Sequence, residues 1–289
     1  MPFDESEVSQ PQSLRVPVPM TGSGLQPLNL ALVQTRLHWH DRAANLAHLD
    51  QVLEPLEHAD LVVLPEMFTT GFTNQAVDVA ETMTGPAVAW LQAQSRRLNA
   101  VVCGSLAMRD CGQHFNRFLW VTPAGDLSWY DKRHRFRMAQ EDQHYAGGSD
   151  RPVFLLGPWR IRPIVCYDLR FPVWCRNRGD YDLLLCVANW PAQRRYAWAT
   201  LLAARAIENI AHVVGVNRVG TDGNGLDYAG DSMVLGPAGE PLATLGEGKE
   251  GVIERCLSLP DLSEFRARFP AHLDADLFEL VPGKGDPPP

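Results

Sequence analysis

Three residues of this chain combine a reactive side chain with a position at the end of an apolar run. Cys166 closes RIRPIVC, just before Phe171 and Pro172 start a helix, and a helix N-terminus draws a thiol toward the nucleophilic thiolate. Its alternative reading is a buried small apolar residue. Glu66 closes LVVLPE, where burial would raise a carboxyl toward neutrality and make it a general base; the alternative is a solvated charge at a strand end. Lys132 follows LSWYD and could stabilise negative charge developing on an attacked carbonyl, or belong to an exposed basic turn with Arg133, His134 and Arg135. The backbone N–H of Tyr167 could point at the same oxyanion. A thiol nucleophile is usually served by histidine, but none of the nine histidines has a spacing that singles it out; His134 lies nearest the basic run and His144 follows.

The elements around these residues alternate between strands and helices. Strands are expected at 28–35, 60–66, 100–106, 115–122, 126–131, 160–166, 181–187, 212–217, 228–235 and 250–257. Asp41 can cap a helix running to residue 57, with Leu46, Leu49, Val52, Leu53 and Leu56 on one face. Pro86 opens a second helix to residue 98, and a long one covers 194–209. Long buried strands, hairpins and interspersed helices together predict a mixed-sheet α/β layer architecture. Residues 1–26 and 282–289 read as loose ends, leaving 27–281 as one domain.

Composition narrows the function classes. The chain has 289 residues, is 45% hydrophobic and carries 8 Trp, enough for a sizeable core. Its 26 Lys+Arg against 34 Asp+Glu give a net charge of -8, which disfavours nucleic acid and anionic membrane as partners. The acidic N-terminus and Pro- and Gly-broken segment up to Thr35 resemble neither a signal peptide nor a membrane span. Six widely spaced cysteines read as reduced thiols of a cytoplasmic protein. Residues 246–251 spell G-x-G-x-x-G, but a strand rather than a helix follows, so no dinucleotide site is expected. No metal or cofactor is implied.

LPEMF around Glu66, YDKRHRF around Lys132 and IVCYDLRFP around Cys166 resemble, in order and context, the three catalytic signatures of the nitrilase superfamily of carbon-nitrogen hydrolases. FRMAQEDQHYAGG resembles the segment carrying the family's auxiliary glutamate, which falls on Glu141, and ANWP, LLAARAIENI, GVNRVG and DYAGDSMVLGPAGE resemble its later segments. The resemblance covers residues 27–257 and is strongest to the omega-amidase branch, which acts on 2-oxoglutaramate or 2-oxosuccinamate. It implies a four-layer αββα sandwich of two mixed β-sheets, paired into a homodimer or higher homo-oligomer. It also implies roles: Cys166 forms a thioester, Glu66 is general base then acid, Lys132 and the Tyr167 N–H hold the oxyanion, and Glu141 orients Lys132 or assists proton transfer. A substrate carboxylate calls for arginine, for which Arg194 or Arg195 is placed after the NWP run, with Trp190 as an apolar wall. Other readings are an N-carbamoyl amino acid or nitrile hydrolase of the same superfamily, and a non-catalytic scaffold or binding protein.

Overall fold

The computed structural model describes residues 27–280, so the tails expected at 1–26 and 282–289 lie outside the described residues. Two six-stranded mixed sheets dominate it. The first is built from β1 (Leu28–Gln34), β2 (Leu61–Val63), β3 (Val101–Asp110), β4 (Gln113–Val121), β5 (Leu127–Asp131) and β14 (Gly251–Leu257), in the order β14-β1-β2-β3-β4-β5. Its centre, β1-β2-β3, is parallel, and its flanks are antiparallel. The second contains β6 (Phe154–Leu156), β7 (Trp159–Val165), β8 (Leu183–Ala188), β9 (His212–Asn217), β12 (Met233–Leu235) and β13 (Pro241–Thr244), ordered β13-β12-β9-β8-β7-β6 with β7-β8-β9 parallel. A ribbon of β10 (Val219–Thr221) and β11 (Asp227–Ala229) stands apart.

Side-chain alternation along the strands produces the layers. On β1, Leu28, Leu30 and Leu32 join the core between the sheets with Val63, Phe118, Trp120 and Ile161. The intervening Ala31 and Val33 face the other way, with Val62 and Val102, onto Leu49, Leu53, Val88 and Leu91 of the helices Arg42–Leu53 and Pro86–Leu98. Each Leu or Val so buried contributes roughly 1.5–3 kcal/mol. The helix Arg195–Asn209 covers the far face of the second sheet with Trp198, Leu202 and Ala206. It lies so close that a Cβ on Gly215 of β9 would stand 2.4 Å from Leu202 Cδ1 and 2.8 Å from Trp198 Cζ2. The result is the αββα sandwich.

The expected elements shift in detail. The first helix has Asp41 as its cap, accepting the Ala44 N–H at 2.9 Å, but ends at Leu53, two residues before Pro55, rather than at 57. The strand expected over 60–66 is only Leu61–Val63, because Pro65 has no N–H to donate. The strand expected over 228–235 divides at Gly230 and Asp231, both at positive φ, and its halves pair with β10 and β9. Unforeseen are the short edge strands β6 and β13 and the helix Leu259–Arg268, whose cap Ser258 accepts the Asp261 N–H. Among the described residues no helix is long and apolar enough to cross a membrane.

Candidate active site

The residues singled out above sit where strands of both sheets end. Glu66 lies three residues beyond β2, Lys132 follows β5, Cys166 follows β7 and Asn189 follows β8. The first two belong to one sheet and the last two to the other, so the site straddles the sandwich at its strand ends. Cys166 adopts φ 45° and Met67, next to Glu66, φ 44°; both are left-handed conformations costing roughly 1–2 kcal/mol for a residue with a Cβ. These sharp exits turn each chain out of its strand.

Glu66, Lys132 and Glu141 form one buried cluster, each at most 1% exposed. The Lys132 ammonium donates to Glu66 Oε1 at 3.0 Å and to both oxygens of Glu141 at 2.9 and 3.0 Å. The other Glu66 oxygen, Oε2, accepts the Asn189 N–H at 2.7 Å, while the Asn189 amide donates to the Glu66 carbonyl at 2.5 Å. Phe136 N–H closes on Glu141 Oε2 at 2.5 Å. Cys166 Sγ lies 3.9 Å from the Asn189 carbonyl oxygen, so one asparagine touches both Glu66 and the thiol.

Electrostatics assign the protons. Burial works against the Lys132 ammonium, but Glu141, Glu66 and Cys166 outweigh it and hold the group well above its ordinary value, so it stays charged. Burial lifts Glu141, Lys132 pulls it back and Glu66 adds to the rise. Burial also pushes the Cys166 thiol well above its ordinary value, with Glu66 adding to the rise and Lys132 opposing it. At neutral pH the nucleophile is therefore a thiol, and attack requires a base in contact with it. Tyr167, the second residue of the 3-10 turn Cys166–Arg170, presents an N–H that the turn itself does not use.

A cleft of about 70 Å3 opens over Cys166 and Lys132, lined also by Phe72, Phe136, Tyr167, Asn189, Trp190 and Tyr228. Arg170 and Arg194 reach it as well. The Arg170 guanidinium lies 4.7 Å over the Trp190 ring and that of Arg194 5.3 Å over Phe136, and among the described residues neither has a carboxylate partner. Arg195, expected beside Arg194 as a substrate contact, points elsewhere: it is exposed, bound to Asp231 through two bonds of 2.9 Å and to Glu247. It begins the helix, where each residue turns the side chain by about 100°, and the acidic pair captures it there.

Asn116 on β4 escaped the sequence reading. Its amide donates to Glu66 Oε1 at 2.7 Å and reaches Glu141 Oε1 at 3.4 Å, its own oxygen accepts from Ser105 Oγ at 2.8 Å, and its backbone oxygen accepts the Lys132 N–H at 3.0 Å. A polar residue amid Phe115, Phe118 and Trp120 was the available signal. Asn116→Leu strands the Ser105 hydroxyl and one carboxylate lone pair in the core, and is expected to lower the unfolding free energy by about 1–3 kcal/mol. Denaturant melts of both proteins check this, and an unchanged midpoint would remove Asn116 from the supporting frame.

The comparisons agree with this geometry. Residues 29–267 match the carbon-nitrogen hydrolase family. The chain is 49% identical to Omega-amidase YafV of Escherichia coli strain K12 over 88% of its own length and 98% of that protein's. It is 32% identical to the 2-oxoglutaramate amidase of Bacillus subtilis over 75% and 85% of the two chains. Among solved structures it is similar to XC1258 from Xanthomonas campestris, a CN-hydrolase superfamily protein with an arsenic adduct in the active site: TM-score 0.87, 52% identity, 89% of this chain and 100% of that one. Two mixed sheets between helices, strand-end carboxylate, ammonium and thiol, and these matches have one reading: this chain belongs to the carbon-nitrogen hydrolase family.

Proposed function

We propose that this enzyme is an omega-amidase, hydrolysing the terminal amide of a short dicarboxylic or 2-oxo acid of the 2-oxoglutaramate type to the acid and ammonia. The observation that carries the substrate class is the pair of cleft arginines, Arg170 and Arg194, which line the same cleft as the Cys166 thiol and among the described residues have no carboxylate of their own. A substrate with a carboxylate at one end and an amide at the other would offer a partner to each, and a planar guanidinium held over an aromatic ring is preset for the carboxylate.

On this reading the reaction runs through the buried cluster and the thiol. Glu66 takes the Cys166 proton as the sulfur attacks the amide carbon, and the carbonyl electrons move onto oxygen. That oxyanion is met by the Lys132 ammonium and the Tyr167 N–H. Glu66 returns its proton to the nitrogen, the C–N bond breaks, and ammonia leaves a thioester on Cys166. Water then loses a proton to Glu66 as it attacks the thioester, and collapse expels the thiolate, which recovers the proton from Glu66. Glu141 keeps Lys132 charged and aimed, so that Glu66 is not the ammonium's only anion. No cofactor or metal enters the scheme. On this reading the enzyme works in the cytoplasm on a small molecule, with no nucleic acid or membrane partner. A homodimer or larger homo-oligomer fits the exposed Tyr196 and Ile207 on the helix Arg195–Asn209.

Ammonia release from 2-oxoglutaramate, propionamide, an N-carbamoyl amino acid and a nitrile tests it, with Cys166→Ala as blank. The oxo-acid amide should be turned over far faster than the rest. Arg194→Gln should raise its KM roughly 10- to 100-fold and leave kcat within a few-fold, as loss of a charge-assisted bond to a non-reacting carboxylate requires. Preference for the carbamoyl compound or the nitrile would replace the substrate class, and inactivity on all four would favour a scaffold or binding protein.

A further inference from the structure

The Asp168 carboxylate is fully buried and accepts four hydrogen bonds. Oδ2 takes the Tyr130 hydroxyl at 2.7 Å and the Val165 N–H at 3.0 Å; Oδ1 takes the His134 N–H at 2.8 Å and His134 Nδ1 at 2.8 Å. A carboxylate accepting these bonds requires the proton of the imidazole to sit on Nδ1. Val165 immediately precedes Cys166, and His134 lies two residues after Lys132. One carboxylate thus ties the loop that carries the ammonium, leaving the first sheet, to the turn that carries the thiol, leaving the second. Burial pushes the Tyr130 phenol well above its ordinary value, and Asp168 adds to the rise, so it remains a donor; its oxygen accepts the Arg133 N–H at 3.1 Å and Trp174 Nε1–H at 3.0 Å.

The imidazole is held from both sides. It stacks on Phe171 with centroids 3.7 Å apart and planes 7° apart, and meets Trp174 edge-on at 5.7 Å. Phe171 packs edge-on against Tyr167, and Tyr167 against Phe136, both of which line the cleft. We infer that His134 is a positioning residue: through the Nδ1–H bond to Asp168 it fixes the spacing of Lys132 and Cys166 across the two sheets. It touches neither substrate nor the reacting atoms. Its effect belongs to the step in which sulfur and oxyanion must be aligned, and a small misplacement there is costly in kcat.

This inference rests on the Cys166 mechanism proposed above, and two variants separate the donor from the stack. His134→Phe keeps an aromatic ring against Phe171 and removes the donor; His134→Asn places an amide N–H near the Nδ1 position and removes the ring. With the preferred amide substrate, His134→Phe should lower kcat roughly 10- to 100-fold with KM within about 3-fold, and His134→Asn should recover most of it. A wild-type kcat in His134→Phe overturns the inference, as does an equal loss in both variants that follows their melting temperatures. Iodoacetamide alkylation of Cys166 reads the same alignment without an amide substrate: its rate should fall in His134→Phe and recover in His134→Asn, and equal rates in all three proteins overturn the clamp whatever the substrate proves to be. Should His134→Phe not fold, Tyr130→Phe, which removes another donor from the same carboxylate, must lower kcat at constant KM, and unchanged turnover there is equally decisive against it.

Discussion

Cys166→Ala is expected to lower ammonia release by roughly 10⁴- to 10⁶-fold, as removal of a nucleophile does in enzymes with covalent intermediates. The thermal midpoint should move by no more than about 2 °C. Both halves follow from the position of Cys166. Its side chain is half-buried, and among the described residues its sulfur makes one long contact, to the Asn189 carbonyl oxygen at 3.9 Å, so the methyl group of alanine gives up that weak contact and strands no charged group. The left-handed φ of 45° is as tolerable to alanine as to cysteine, since both carry a Cβ. No neighbouring thiol can substitute, because Cys103, Cys175 and Cys186 are buried within the strands and turns. In the wild-type protein, rapid quench with substrate followed by mass spectrometry should place the acyl group on residue 166. Turnover above about 1% of wild type in the variant, or an acyl group elsewhere, would dispose of the thioester mechanism.

The candidate site residues were legible because each interrupts an apolar run with a group that has little other reason to be there. Glu66 after LVVLP and Cys166 after RIRPIV stand out by contrast alone, and the surrounding motifs supplied the family resemblance that joined them to Lys132 and Glu141. What remained hidden depends on contacts between distant segments. Asn116 looks like any polar residue on a strand until β5 and the Glu141 turn close over it. Arg194 and Arg195 are adjacent and chemically alike; Asp231 and Glu247, 36 and 52 residues onward from Arg195, decide which of them faces the cleft. His134 had no informative spacing because its partner, Asp168, is 34 residues away in the turn that leaves the other sheet. The mixed-sheet layering could be anticipated from the apolar runs and the two-sheet sandwich from the family resemblance, whereas β6 and β13, three and four residues long at sheet edges, are too short to display a pattern.

Glu66→Gln should reduce kcat by about 10²- to 10⁴-fold, the range for loss of a general base, and should change the pH profile more tellingly than the rate. Glutamine fills the same space but is a donor on one side. Glu66 Oε2 faces the Asn189 N–H, and Oε1 faces both the Lys132 ammonium and the Asn116 amide, so whichever way the new amide turns, its NH2 meets a donor. That mismatch is expected to cost about 1–3 kcal/mol of stability, which a denaturant melt will report and against which activity must be compared at a temperature where both proteins are folded. Lys132 keeps Glu141 as its anion, with bonds of 2.9 and 3.0 Å, and the oxyanion site should survive. With the base gone, only the small fraction of Cys166 already ionised can attack. Loss of the Glu66 charge takes away one part of the rise above 9.0, the thiol's ordinary value, but burial, the larger cause, remains, so the thiolate fraction grows about tenfold per pH unit throughout the neutral and mildly alkaline range. The residual rate of Glu66→Gln should accordingly climb with near-unit slope and still be rising at pH 9.0, while the wild-type rate, supplied with a base in the site, should not follow that slope. Iodoacetamide alkylation of Cys166 in the variant should show the same rise, independently of any substrate. A flat profile for the variant, or a rate close to wild type near pH 7, would mean that a group other than Glu66 removes the proton.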